Sequence, residues 1–137
     1  MLNKLKSMQG QKGFTLIEII IVIVIIGILA AILIPSLISG PTKARDSERK
    51  GDLRTLKIKL EEYFQDNSVY PATLSDLTGG NPPYIKTVPV DPKNKQNYNY
   101  TPAPAGGPYT SYTLTATLEN KNDKEAPNGA FTVDSSN

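Results

Sequence analysis

The sequence predicts an α+β protein: a long N-terminal helix, membrane-spanning in its first half and amphipathic in its second, packed on a small three-stranded antiparallel sheet. Three observations carry that expectation. An apolar run occupies residues 14–34, a helical stripe of leucines and aromatics follows at residues 53–64, and three short alternating segments rich in tyrosine, threonine and valine lie near the C-terminus.

Residues 14–34 number 21. At about 1.5 Å per helical residue they span about 31 Å, close to the roughly 30 Å hydrocarbon core of a bilayer. Lys4, Lys6 and Lys12 precede the run, and such positive flanks stay in the cytoplasm, so the expected orientation is N-terminus inside and Lys43 onward outside. A secretory signal peptide fits poorly, because the run is longer than a usual signal core and the small pair Ala30-Ala31 lies within it. A plain membrane anchor leaves Glu18 unexplained. It is the one charged side chain between Lys12 and Lys43, and a carboxylate deep in a bilayer costs roughly 2.5–3.5 kcal/mol on insertion scales. Its presence implies a partner.

Pro35 lacks an N–H and removes the helical bond to the carbonyl of Ala31. Gly40-Pro41 repeats the disruption. Pro35, Gly40 and Pro41 therefore mark an expected helix break, either an end at Ile34 followed by a linker or a kink within a longer helix. Beyond it Leu53, Leu56, Leu60, Tyr63 and Phe64 recur at helical spacing, while Arg54, Lys57, Lys59, Glu61 and Glu62 take other faces. The mixed charges of residues 43–50, KARDSERK, read equally as a solvated face or as a contact between subunits. Asn67 is the expected stop. Thr73 reads as the N-cap of a short turn carrying Leu74 and Leu77. Residues 98–100, 112–118 and 130–133 read as strands, separated by proline-rich loops, with Tyr98, Tyr100, Tyr112 and Phe131 assigned to the core or its rim.

Several function classes are excluded by composition. The chain of 137 residues has a formal charge of +2 with basic and acidic residues interspersed, so nucleic acid is not the expected main partner. Zero cysteines and zero histidines remove disulfides, thiolate metal sites and the commonest general base. Gly79-Gly80 and Gly106-Gly107 lack the lysine and following helix of a phosphate-binding loop. Glu61 and Glu62 are adjacent on a helix and diverge. The expectation is a protein without catalytic residues.

Gly13-Phe14-Thr15-Leu16-Ile17-Glu18, after a lysine-bearing leader and before an Ile/Val/Leu run ending near Pro35, closely resembles the class III signal of type IV pilins and type II secretion pseudopilins. The resemblance implies that a membrane-embedded prepilin peptidase cuts between Gly13 and Phe14 on the cytoplasmic face and methylates the new Phe14 amine. It divides the chain into a leader at 1–13, a transmembrane and filament-core helix at 14–40, and a small globular domain at 41–137. That domain comprises an amphipathic helix at 42–66, a loop at 67–96 and a sheet at 97–133. Cleavage would create a cationic amine in apolar surroundings, for which Glu18 of a neighbouring subunit is a natural counter-charge. Phe14 and Glu18 are thus the expected assembly pair. The leader holds three of the 15 basic residues, so its loss leaves 12 against 13 acidic ones.

In the C-terminal half, Tyr70-Pro71, Leu74, Leu77, Tyr84, the Pro-x-Asp-Pro of 89–92 and Tyr98-x-Tyr100 look like the major pseudopilin of type II secretion. That resemblance implies a calcium loop after the second strand. Glu119, Asn122, Asp123 and Glu125 stand in that region, but without a glycine-bearing Asp-x-Asp spacing, and a solvated polar turn is the simpler reading. No cofactor is expected. The missing cysteine pair departs from many major pilins and leaves pilus or pseudopilus open. The expected function is a structural subunit of the inner membrane that forms a helical homopolymer, its globular domain periplasmic or extracellular. An assembly ATPase and a platform protein are implied by the resemblance alone. An anchored surface-binding module and a membrane-tethered enzyme are the rival readings.

Overall fold

The computed structural model describes residues 13–136. Lys4, Lys6 and Lys12, with the rest of the expected leader before Gly13, lie outside the described residues. One helix, α1 (Leu16–Asn67), opens the structure. Contacts divide the chain between Ile38 and Ser39, and the two parts are described in turn.

In the N-terminal part the large apolar side chains described from Phe14 to Leu37 are all exposed, none below 42 %. They fall on every face of the helix, a pattern that belongs to lipid or to a bundle of similar helices, not to the boundary between a core and water. The segment is long and apolar enough to cross a membrane. Pro35, Gly40 and Pro41, where a break is expected, lie inside α1 without ending it. The reading in which the helix stops at Ile34 is corrected accordingly. Each proline removes one N–H and crowds the carbonyl four residues back, yet the helical conformation continues through both. Gly40, having no Cβ, also relieves the clash that a following proline ring imposes on the residue before it.

In the second part α1 contributes Leu53, Leu56 and Leu60, each wholly buried, because spacings of three and four return them to one face. They cover a sheet of β1 (Asn99–Ala103), β2 (Ser111–Thr117) and β3 (Ala130–Asp134), antiparallel and in the order β1-β2-β3. Along β2 the alternation is plain. Tyr112, Leu114 and Ala116 are buried, while Thr113 and Thr117 are exposed and Thr115 is half-buried. Register sets Tyr100 and Val133 on either side of Leu114, and Phe131 opposite Ala116. β1 is an edge strand and carries Pro102, a residue that sheets accept at an edge because it has no N–H to pair. The β1–β2 loop turns through Gly106 and Gly107 at φ of 88° and 69°, values that glycine alone takes without strain.

α1 ends at Asn67 as expected. Ser68 follows at φ 60° and its N–H returns to the carbonyl of Phe64 at 2.7 Å, a left-handed termination that satisfies one of the last helical carbonyls. Tyr70 and Pro71 are buried beyond it, and a 3-10 turn, Leu74–Thr78, places Leu74 and Leu77 in the core. Its entry is fixed by the Thr73 N–H, which donates to the Asp76 carboxylate at 2.9 Å.

Leu56→Ala is expected to destabilise the domain by about 2–5 kcal/mol, whereas Ile58→Ser, at a position 58 % exposed on the same helix, should change stability by less than about 0.5 kcal/mol. Urea denaturation of the full chain in detergent micelles, followed by tyrosine near-ultraviolet circular dichroism, checks both.

Candidate functional site

Gly13, Phe14 and Thr15 precede α1, and Glu18 stands in its first turn. Thr15 and Glu18 form a capping box. The threonine hydroxyl accepts the Glu18 N–H at 3.3 Å, and Glu18 Oε2 accepts the Thr15 N–H at 2.8 Å and its hydroxyl at 2.7 Å. The carboxylate therefore starts the helix as well as bringing a charge to its positive end. The Thr-x-x-Glu spacing is visible in the sequence, but attention to Glu18 as an assembly residue alone passes over it. None of the ion pairs among the described residues involves Glu18. Phe14 is 84 % exposed, and a Cβ built on Gly13 would meet nothing within 4 Å. The fold itself makes no demand for glycine at position 13.

A second polar site lies in the globular part. Asp46 and Arg49 extend the stripe of Leu53, Leu56 and Leu60 backwards at the same spacing, and both are buried, at 4 % and 2 % exposure. Arg49 grips Asp91 with two bonds, Nε to Oδ2 at 2.7 Å and Nη2 to Oδ1 at 3.1 Å. Its Nη1 donates to Asp46 at 2.7 Å and to Glu119 at 3.0 Å. Glu119 also receives Arg45 at 2.6 and 2.9 Å and Lys93 at 2.9 Å. Asp46 in turn accepts the backbone N–H groups of Glu119 and Asn120, both at 2.9 Å. Three cations thus face three carboxylates, so no buried charge is left alone, which is the condition under which such a cluster is tolerated. At Asp46 and Arg49 the expected solvated face is corrected: their side chains join α1 to the 89–92 segment and to the turn after β2.

Those contacts set the titration of the carboxylates. The Arg49 guanidinium holds Asp91 at about 2, below its ordinary 3.8. Arg45, followed by Lys93, holds Glu119 well below the usual carboxylate range. Acidic residues of α1 also collect tyrosine hydroxyls. Tyr98 donates to Asp52 at 2.6 Å and Tyr84 to Asp66 at 2.8 Å. Glu61 accepts Tyr70 at 3.0 Å, Tyr112 at 3.3 Å and the Ser136 N–H at 3.2 Å. Burial pushes the Tyr70 phenol up to about 12, keeping it a neutral donor.

The four residues weighed for a calcium loop are engaged by other groups of their own chain. Glu119 is taken by Arg45, Arg49 and Lys93. Asp123 binds Lys50 Nζ through both oxygens at 2.7 and 2.8 Å, and Glu125 binds it at 2.7 Å. Asn122 donates its N–H to Asn120 Oδ1 at 3.1 Å. Among the described residues no group of three or more acidic side chains is arranged to hold a metal.

Residues 8–34 match the family described as prokaryotic N-terminal methylation motif. With an uncovered apolar helix behind that motif and a separate helix-on-sheet unit after it, the chain falls in the class of subunits with a prepilin-type N-terminal motif. It is 38 % identical over 122 residues to type II secretion system core protein G of Pseudomonas aeruginosa, covering 79 % of this chain and 85 % of the relative. It is 36 % identical over 125 residues to the protein of the same name from Vibrio cholerae, covering 82 % and 85 %. The chain belongs to the type II secretion system core protein G family, the major pseudopilins. No solved structure matches it.

Arg49→Ala, which strands Asp46 and Asp91 without their counter-charge, is expected to destabilise the full chain by roughly 3–5 kcal/mol. Arg49→Lys should recover only part of the loss, because an ammonium cannot reproduce the two-pronged bond to Asp91; urea midpoints of the three proteins decide this. Since the folded-state value of Asp91 is depressed, its contribution is present above pH 3.8 and is lost as pH falls towards about 2. Glu119, held down in the same direction, adds to that loss at the acid end. Circular dichroism from pH 7 downwards should therefore show acid unfolding beginning only below about pH 4, and Asp91→Asn should flatten that part of the profile.

Proposed function

We propose that this chain is a prepilin-type precursor that becomes the major structural subunit of a type II secretion pseudopilus. It enters the inner membrane once, N-terminus in the cytoplasm and globular part in the periplasm. Prepilin peptidase removes residues 1–13 and methylates the amine of Phe14. The subunit then joins a helical homopolymer through residues 14–40, driven by the assembly ATPase and platform protein of the secretion machine. The observation that carries this reading is a carboxylate, Glu18, at the head of a helix whose large apolar side chains as far as Leu37 are exposed on every face. The relatives named as core protein G support the same role.

The chemistry of the proposal is a change of partner. Before assembly Glu18 is satisfied by Thr15 of its own chain. After cleavage, the new Phe14 ammonium of an adjacent subunit offers it a full counter-charge in apolar surroundings. Helices in lipid gain little from the hydrophobic effect, so packing and this ion pair select the geometry. An ion pair desolvated in this way gives register more than net stability, because either half left alone is costly. Gly13, free of any steric requirement within the fold, is accounted for by the peptidase, whose approach to the backbone it eases.

Mass spectrometry of the protein from cells expressing the peptidase should find N-methyl-phenylalanine at position 14; an intact Met1 or a different new terminus would refute the processing scheme. Glu18→Ala is expected to insert and lose its leader normally yet form no pseudopili when overproduced, as judged by electron microscopy of sheared material.

A further inference from the structure

We infer that the β2–β3 loop of this chain is held by the Lys50 ammonium in the position of a bridging cation, and that the globular part folds and keeps its stability without calcium. Lys50 lies on α1 one turn beyond Asp46 and one turn before Arg54, so the three side chains point along one side of the helix. Its Nζ contacts both oxygens of Asp123 and one of Glu125, all within 2.8 Å. Arg54 takes the other oxygen of Glu125 at 3.2 Å. Lys50 also lies 5.6 Å from the centre of the Phe131 ring, and its side chain is only 13 % exposed. Two cations balance two carboxylates.

Calcium needs six to eight oxygens at about 2.3–2.6 Å, and the loop has already committed its own. Asp123 Oδ1 accepts the Glu125 N–H at 2.9 Å as well as Lys50. The carbonyls of Asn120, Asp123 and Ala126 accept the N–H groups of Asp123, Ala126 and Gly129, and Asn120 Oδ1 accepts that of Asn122. The cleft beside the loop is lined by Lys43, Asp46, Ser47, Lys50, Asn120 and Asp123, so an entering dication would meet two ammonium groups. At the loop's far end Gly129 sits at φ 79°, where a Cβ would lie 2.7 Å from Lys121 and 3.2 Å from the Leu118 carbonyl. That close return lets Leu118 N–H bond the Gly129 carbonyl at 2.7 Å and brings Asp123 and Glu125 back over α1.

The clamp belongs to the globular part and requires neither leader removal nor assembly. The test is thermal unfolding of the full chain in detergent micelles, with EGTA and with millimolar calcium chloride, read by near-ultraviolet circular dichroism. The expected result is the same midpoint in both. A midpoint higher in calcium overturns the inference, and a calcium site at a hundredfold excess over its Kd would raise it by roughly 10 °C in a domain of this size. In EGTA, Lys50→Arg should melt near the unaltered protein and Lys50→Gln several degrees lower; a Lys50→Gln protein that melts like the unaltered one also overturns it. If Lys50→Gln fails to fold, the calcium comparison on the unaltered chain still decides.

Discussion

The globular part depends on a buried guanidinium. Arg49 is an always-charged side chain with almost no access to water, a situation sustainable only if carboxylates surround it. The sequence supplies them from three places: Asp46 one turn earlier, Asp91 in the 89–92 segment, and Glu119 just after β2. Because each donor and acceptor has a fixed position, the pairing selects one placement of both segments against α1. Asp46 sharpens this by accepting the Glu119 and Asn120 amide N–H groups, which ties the turn after β2 to α1.

Around that anchor the domain is built with few apolar residues. Three leucines of α1, two of the 3-10 turn and the inward positions of β2 supply most of the aliphatic core, and tyrosines fill the rest. The ring pairs Phe64–Tyr70 and Tyr70–Tyr112, with centres 4.5 and 4.8 Å apart, run from the helix end to the central strand. Tyrosine suits the task because its ring packs while its hydroxyl needs a partner. Asp52, Glu61 and Asp66 provide one on the same helix. The exposed pair of Arg54 with Glu125, by contrast, has more than half of each side chain in water and adds little.

Much of this architecture is legible in the amino-acid sequence because it rests on periodicity. The spacing of Leu53, Leu56 and Leu60, the alternation around Leu114, and the helix stop at Asn67 are local signals, and the structure has the elements they announce. The N-terminal motif is likewise a contiguous string. What escapes is whatever depends on partners distant in the chain. Asp46 and Arg49 continue the stripe, but their charge disguises them until Asp91 and Glu119, 42 and 70 residues beyond Arg49, are seen beside them. The acidic residues after β2 read as a solvated polar turn until Lys50 is found among them. At Pro35, Gly40 and Pro41 local propensity fits either an end or a kink, and only the structure, in which α1 runs through all three, removes the first of these.

The proline in β1 bears on how such subunits tolerate being crowded. Polymers concentrate identical sheets at close quarters, where a long bare strand would invite its copies to zip together edge to edge into an irreversible aggregate. Pro102 interrupts the row of donors on that margin, so this edge is a poor template for another strand. Under the proposed assembly, that leaves the N-terminal helices rather than this strand margin to hold neighbouring subunits together.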